Sequence, residues 1–390
     1  MQFYMGQSIQ GMRPTKKEKY VVNRFKNILV VVADKTDHNV ILGRALTLGQ
    51  RNQARLTVVN VVKDMLHIDQ MPIAPESPAD VQESDIKIIE ELSRDTSLPI
   101  ISAQLAEVQG PIRDAAELPR QPHISAPSKP AVSIQEYIIE EGHRDLKQSV
   151  AALRQAGVQV SSKVLSGTPF LEIIREVLRN KHDLVMIAAE GQSGLKKMLF
   201  GSTTMHLMRK CPCPVWVMKP SQPKQYSRIL AAVDPTPLDE KRNALNMKIM
   251  DLATSLAQLE QSELHIVHAW ALYREFGLTY GHIQIPKSEL DKLIRETETM
   301  HGRWFSELLR EYPLEKLNCQ VHLLHGDAGT LIPEQAKEKE IELIVMGTVC
   351  RTGVVGLLIG NTAENVLRQV NCSVLTVKPD GFVTPVRLDN

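Results

Sequence analysis

The sequence predicts an α/β protein made of two tandem, doubly wound domains, each built on a parallel sheet. Two observations carry that prediction. The chain repeats itself: Leu165–Pro220 aligns with Leu324–Pro379 at a constant offset of 159, without a gap. Leu165, Gly167, Leu184, Gly194, Leu199, Gly201, Thr203, Arg209, Cys213, Val215, Lys219 and Pro220 all meet identical residues. A repeat this long is a duplicated domain rather than a solenoid unit. Within each copy, short apolar runs alternate with stretches of helical spacing, the pattern of strands covered by helices on both faces.

The first copy opens on Ile28–Ala33, a continuous apolar run rich in valine that reads as a strand. Val40–Gln50 has helical spacing and Leu56–Val62 is a second strand candidate. Ile134–Ala156 is a long amphipathic stretch with Tyr137, Ile138, Leu146, Val150 and Leu153 on one face. Val158–Leu165 is a third strand, Phe170–Leu178 a helix, Leu184–Ala188 a fourth strand, Thr203–Arg209 a helix and Val215–Met218 a fifth strand. The second copy begins in the same way: the run ending at Asp234 resembles the run ending at Asp34, at an offset of 200. The two offsets differ by about 41, so the first copy carries that many surplus residues in its middle. They fall between the second strand and the long helix, in a segment with prolines at 72, 75, 78, 99, 111, 119, 122, 127 and 130. Such a segment cannot be one helix or a central strand. Asp85–Leu92 could form a short helix within it, and a tolerated surface insertion outweighs a functional lid. The organisation is therefore an N-terminal arm at 1–24, a first domain at 25–220 with an insertion at about 63–133, a second domain at 226–380, and a tail at 381–390.

Composition excludes several functions. The chain has 390 residues and a formal net charge of +1, which argues against a generically basic nucleic-acid binder. Aromatics are 4%, too few for stacking platforms along a nucleic-acid strand. No apolar run approaches membrane-spanning length, and the N-terminus lacks the apolar core of a secretory signal. Five cysteines do not describe a disulfide framework, so a reduced cytoplasmic protein is expected. Arg13, Lys16, Lys17, Lys19 and Arg24 make the arm basic, which fits a solvated terminus better than an anion-binding one.

In open parallel sheets, ligands bind beyond the carboxyl ends of the strands. Two features fall there in each copy: an Asp after strand one, Asp34 and Asp234, and a glycine-bearing loop after strand four. The first loop runs from Ala188 through Gly191 to Gly201, Ser202, Thr203 and Thr204. Gly201-Ser202 would open a helix, whose free N–H groups favour an anion, and Ser202 and Thr203 add hydroxyls. The second loop runs from Gly347 through Cys350 and Arg351 to Gly360, Asn361 and Thr362, with Arg351 as a phosphate partner. Equally, the glycines could serve only the turn, with Ser202 and Asn361 capping their helices.

These loops resemble those of the universal stress protein family, whose nucleotide-binding members carry Gly, two residues, Gly, nine residues, Gly, then Ser or Thr. Copy one departs at Ala188; copy two departs at Cys350 and Asn361. The runs at 209–215 and 360–366 look most like the family's E-type tandem branch. The resemblance implies five parallel strands per domain in the order 3-2-1-4-5. It implies pairing through strand five, giving an internal pseudo-dimer of the two domains, with a homodimer also open. It implies a stress-response module that senses or holds a small ligand, with ATP, accompanied by Mg or Mn, as the candidate. Contacts would then come from Asp34, Val61, Ala188, Gly191, Gly201, Ser202 and Thr203 in copy one. In copy two they would come from Asp234, Ala269, Gly347, Arg351, Gly360 and Asn361. Copy one ranks ahead on its loop; copy two has Gly347, Arg351 and no large insertion near its mouth.

No catalytic motif or nucleophile beside a base appears, so at most slow ATP hydrolysis is expected. An interaction protein with degenerate pockets and a slow nucleotide hydrolase remain as alternatives. Cys211 and Cys213 are too close for a zinc ribbon and read as structural. His265 and His268, three apart on a strand, should face opposite ways, as should His322 and His325, so neither pair reads as a metal site.

Overall fold

The computed structural model describes residues 25–32, 38–63, 134–189, 200–219, 225–237, 240–272, 285–348 and 360–388. The arm, the Pro-rich insertion with the expected short helix at Asp85–Leu92, and the middle of both glycine loops lie outside these residues. Residues 64–137 group as a unit separate from the rest of the chain, and of them only 134–137 are described.

In copy one the elements are β1 (Asn27–Val31), α1 (His38–Asn52), β2 (Arg55–Val62), α2 (Ile134–Gln155), β3 (Val160–Ser166), α3 (Pro169–Asn180), β4 (Leu184–Ala188), α4 (Ser202–Lys210) and β5 (Val215–Met218). In copy two they are β6 (Arg228–Ala232), α5 (Glu240–Glu260), β7 (Glu263–Trp270), α6 (Lys287–Leu309), β8 (Cys319–His325), α7 (Ala328–Glu338), β9 (Leu343–Gly347), α8 (Asn361–Gln369) and β10 (Ser373–Val377). Among the described residues these ten strands make one sheet, in the order β3-β2-β1-β4-β5-β10-β9-β6-β7-β8. Each half has the order expected of it. Strands within a half are parallel, whereas β5 and β10 pair antiparallel, with Leu375 opposite Trp216. The expected pairing through strand five is thus present, and it closes two sheet edges against each other.

Alternation along the strands divides the core. Ile28, Val30 and Val32 of the first strand region join α1, α2 and α5 on one face. Leu29 and Val31 point the other way, toward Ile173, Leu207, Ile332 and Val366 of α3, α4, α7 and α8. Leu146, Val150 and Leu153 of α2 are buried as the helical spacing requires, whereas Tyr137, expected on the same face, is exposed.

The registers shift one sequence equivalence. Ile28 pairs with Leu184 and Ile229 with Leu343, so strand one of the two copies matches at an offset of 201, not 200. Val32 and Val233 then hold equivalent places, each donating its N–H to strand two, at 2.9 and 3.0 Å. The next residues by sequence are Ala33 and Asp234.

Charged residues also hold the seam between the halves. Arg44 of α1 and Glu260 of α5 form an ion pair whose side chains are 7% and 8% exposed. The Arg44 guanidinium lies 3.9 Å from the centre of the Tyr226 ring, and the Tyr226 N–H donates to the other Glu260 oxygen. At the opposite end of the seam Lys378, buried, donates to the carbonyls of Met208 and Arg209 at 2.8 and 3.1 Å and to Thr348 Oγ1 at 2.5 Å. It thereby satisfies the last carbonyls of α4, a role a cation fills well at a helix C-terminus.

Candidate functional site

The carboxyl ends of β6, β7 and β9 lie side by side in copy two. Ala232 pairs with Met346, which places Asp234 and Gly347 just past the paired ends of neighbouring strands. Asp234 is held from several sides. Its carboxylate accepts Thr236 Oγ1–H at 2.6 Å and the Thr236 N–H at 3.4 Å. Its backbone is clasped by Asn246 of α5, whose amide accepts from the Asp234 N–H at 3.0 Å and donates to the Asp234 carbonyl at 2.7 Å. An Asp-x-Thr turn of this kind competes well with extended backbone, so the strand stops here.

A second support comes from β7. His268, fully buried, lies with Nδ1 3.2 Å from the Val233 carbonyl and Nε2 2.8 Å from Nδ1 of His301 on α6. A carbonyl can only accept, so His268 Nδ1 carries the hydrogen and its Nε2 accepts from His301 Nδ1–H. The His301 ring stacks on Trp270, and Trp270 stacks on His325. This relay ties the residue before Asp234 to a neighbouring helix. Thr236, Asn246, His268 and His301 were not singled out as site residues by the sequence. Only Thr236, two residues after an aspartate, carried a local signal.

Ala269, next to His268, pairs with Leu324 at the end of β7; its counterpart Val61 pairs with Leu165 at the end of β2. Both are partly buried strand-end residues. Gly347 is enclosed: an added Cβ would come within 2.9 Å of Leu245 Cδ2 on α5. The glycine therefore makes room for a core helix. Gly360 donates its N–H to the Thr348 carbonyl at 3.1 Å, which anchors the start of α8 beside β9.

The helix starts differ from the capping expected. Gly201 and Gly360 occupy the N-cap positions, with φ of −61° and −65°, which any residue can adopt. Ser202 and Asn361 are the first helical residues and both are exposed, while Thr203 is partly so. No side chain caps either helix. Thr204 turns inward and donates to the Gly201 carbonyl at 2.8 Å. Ala188 ends β4 and is partly buried. Asp34, Gly191 and Arg351 lie outside the described residues.

His265 and His268 join different partners: His265 Nδ1 lies 3.1 Å from His322 Nε2, away from the His268–His301 pair. Burial, with His265 beside it, holds His322 down at about 4, so it is neutral at physiological pH. Among the described residues no His, Cys, Asp or Glu group is arranged to hold a metal ion. No described helix is long and apolar enough to cross a membrane.

The sequence matches the profile of the universal stress protein family twice, over 24–219 and 225–378. Universal stress protein E of Escherichia coli K12 is 33% identical over 240 residues, covering 60% of this chain and 73% of that protein. The universal stress protein E homolog of Haemophilus influenzae is 24% identical over 359 residues, covering 91% of this chain and 98% of that one. A crystal structure described as a putative universal stress protein from Pseudomonas aeruginosa superposes with a TM-score of 0.55 at 22% identity, covering 93% and 96% of the two chains. With both halves matched by one profile and joined in one sheet, the chain belongs to the universal stress protein family as a tandem, two-domain member.

Proposed function

We propose that this protein is a ligand-responsive stress module whose second domain holds an adenine nucleotide such as ATP, with Mg or Mn. The observation that carries the reading is the ordered Asp234 turn at the carboxyl edge of the sheet. Asn246, Thr236 and the His268–His301 relay fix it before any ligand arrives, which lowers the ordering cost of binding. A ribose hydroxyl or ring amine donating to this carboxylate would be the specific contact, with the backbone at the start of α8 facing the phosphates. The second domain is the stronger candidate because its Asp234 turn is held by Thr236 and Asn246. This reverses the ranking drawn from the loops alone. Calorimetry with ATP and magnesium tests it: Asp234→Ala should weaken binding about tenfold or more, the worth of a hydrogen bond to a charged group. Asp34→Ala should leave it nearly unchanged. Equal affinity in wild type and Asp234→Ala would remove the second-domain site.

A second reading, an interaction protein with degenerate pockets, is favoured by Gly347 alone, whose lack of a side chain is explained by Leu245. Loss of a cellular partner on deleting the insertion, in a protein that shows no ATP binding by calorimetry, would support that reading.

A further inference from the structure

The last turn of α4, in the first half, is bonded into the glycine loop of the second half. Lys378, buried at the end of β10, donates to the Met208 and Arg209 carbonyls at 2.8 and 3.1 Å. It also donates to Thr348 Oγ1 at 2.5 Å, and the Thr348 hydroxyl donates in turn to the Met208 carbonyl at 3.2 Å. Thr348 is fully buried and directly follows Gly347. Its backbone carbonyl accepts the Gly360 N–H at 3.1 Å, and Gly360 is the N-cap of α8. A closed triangle of hydrogen bonds thus joins the end of a first-half helix to the start of a second-half helix through one residue. A second link runs beside it: Arg209 of α4 donates to Glu364, in the first turn of α8, at 2.9 Å.

The mirror-related place is built differently. At the offset of 159, Thr348 corresponds to Ala189, Met208 to Leu367 and Lys378 to Lys219. Ala189 has no hydroxyl to share. Lys219 is only partly buried, and its Nζ donates to the Asn371 carbonyl at 3.1 Å, past the end of α8 rather than within its last turn. In the second half the ammonium is buried with carbonyl and hydroxyl oxygens as its partners, and burial pulls Lys378 down to about 8. An apolar side chain would fill that place without desolvating a charge, so filling space does not account for a lysine there.

We propose that the first half completes the ligand site of the second, with Thr348 and Lys378 as positioning residues that hold the start of α8 where the last turn of α4 sets it. This rests on the second-domain nucleotide reading above, in which the free N–H groups at the start of α8 face the phosphates. Their place follows that of Gly360, and Gly360 is tied to the Thr348 carbonyl. Thr348 cannot shift without breaking its bonds to Met208 and Lys378, which would leave buried polar groups unpaired. Neither residue has to touch the ligand. Because α4 opens at Gly201, at the end of the first half's own loop, a shift of α4 along its axis is felt at both loops.

The test uses the full chain, first without ligand and then with ATP and magnesium. Hydrogen exchange at the Gly360 amide is followed by fragmentation-resolved mass spectrometry in wild type, Thr348→Val and Lys378→Met. Each variant should speed that exchange about tenfold, the effect of losing a hydrogen bond to a charged group, while amides of α1 keep the wild-type rate. Thr348→Ser retains the hydroxyl and should restore protection. Arg209→Gln, at a partly exposed position, should speed the same amide by a smaller factor, and it decides the matter if the buried variants do not fold. In calorimetry Thr348→Val should weaken ATP binding about tenfold and Thr348→Ser should not. Wild-type exchange at Gly360 in these variants overturns the proposal. So does equal acceleration at Gly360 and in α1, which is what lost packing alone produces, and so does faster exchange with unchanged ATP affinity. Wild type that binds no ATP removes the nucleotide reading instead, and exchange in the unliganded chain still shows whether α4 holds the start of α8.

Discussion

Burial gives His322 a value of about 4, and its ring stacks against His265 at 5.3 Å between centroids. An unfolded histidine takes up its proton near 6.5, so between about 6.5 and 4 the unfolded chain binds more protons than the native one. Stability contributed by this residue is therefore full above 6.5 and declines as pH falls toward 4. Lys339 nearby opposes the proton, whereas Glu338 and Glu263 favour it. His322→Asn should show a shallower fall in melting temperature across that window; the same slope as wild type would count against this source. Arg44 and Glu260 lend themselves to a sharper measurement. Arg44→Met leaves a buried carboxylate beside Tyr226 and should cost about 3–5 kcal/mol in urea unfolding. Arg44→Met with Glu260→Met should cost less than the single change, and simple additivity of the two single changes would show that they do not act as a pair. The Arg44–Glu260 pair was not legible in the sequence, because a helix residue's partner across the seam depends on how two halves dock, which no local periodicity records.

Elements were far more legible than their contacts. Leu184–Ala188 and Val215–Met218 have the bounds that their apolar runs predict, since a fully buried strand shows itself as an unbroken run between turn residues. The one-residue error in aligning strand one arose because Val30, Val31, Val32 and Ala33 are interchangeable by composition. Only pairing to β4 fixes which of the valines faces which helix. Gly347 has a packing role as well as a place in the loop. Spacing marked Gly347 as a phosphate-loop residue, yet it is α5 that packs against it. Gly347→Ala should therefore destabilise by about 1–3 kcal/mol through overpacking, and Leu245→Ala in the same chain should recover part of that loss. No recovery would mean that the crowding lies elsewhere. The exposed starts of α4 and α8 follow from the same logic, with Gly at each cap and no side chain spent on it.

At the scale of the whole molecule, the seam is made within one chain, so its closure does not depend on meeting a second copy. Cleaving the chain between residues 219 and 225 should leave the halves associated, because β5 and β10 and the Arg44–Glu260 pair remain. Melting temperature should then begin to rise with protein concentration, as mass action requires of two pieces, whereas unfolding of the intact seam has no such dependence. Halves that separate at once on cleavage would show that the seam is too weak to hold them. The duplication, the alternating pattern and the strand-five pairing made this architecture readable before any coordinates. The asymmetry of the seam was not. By register, Arg44 corresponds to Leu252 and Glu260 to Asn52, so the charged pair has no mirror image. In a dimer of identical chains, one mutation is made at both symmetry mates, and a residue that suits one end of the contact must suit the other. Fusing the copies removes that obligation. Each half can acquire a feature alone, as the first has neighbouring thiols at Cys211 and Cys213, so that one inherited contact joins two formerly equal partners now free to diverge.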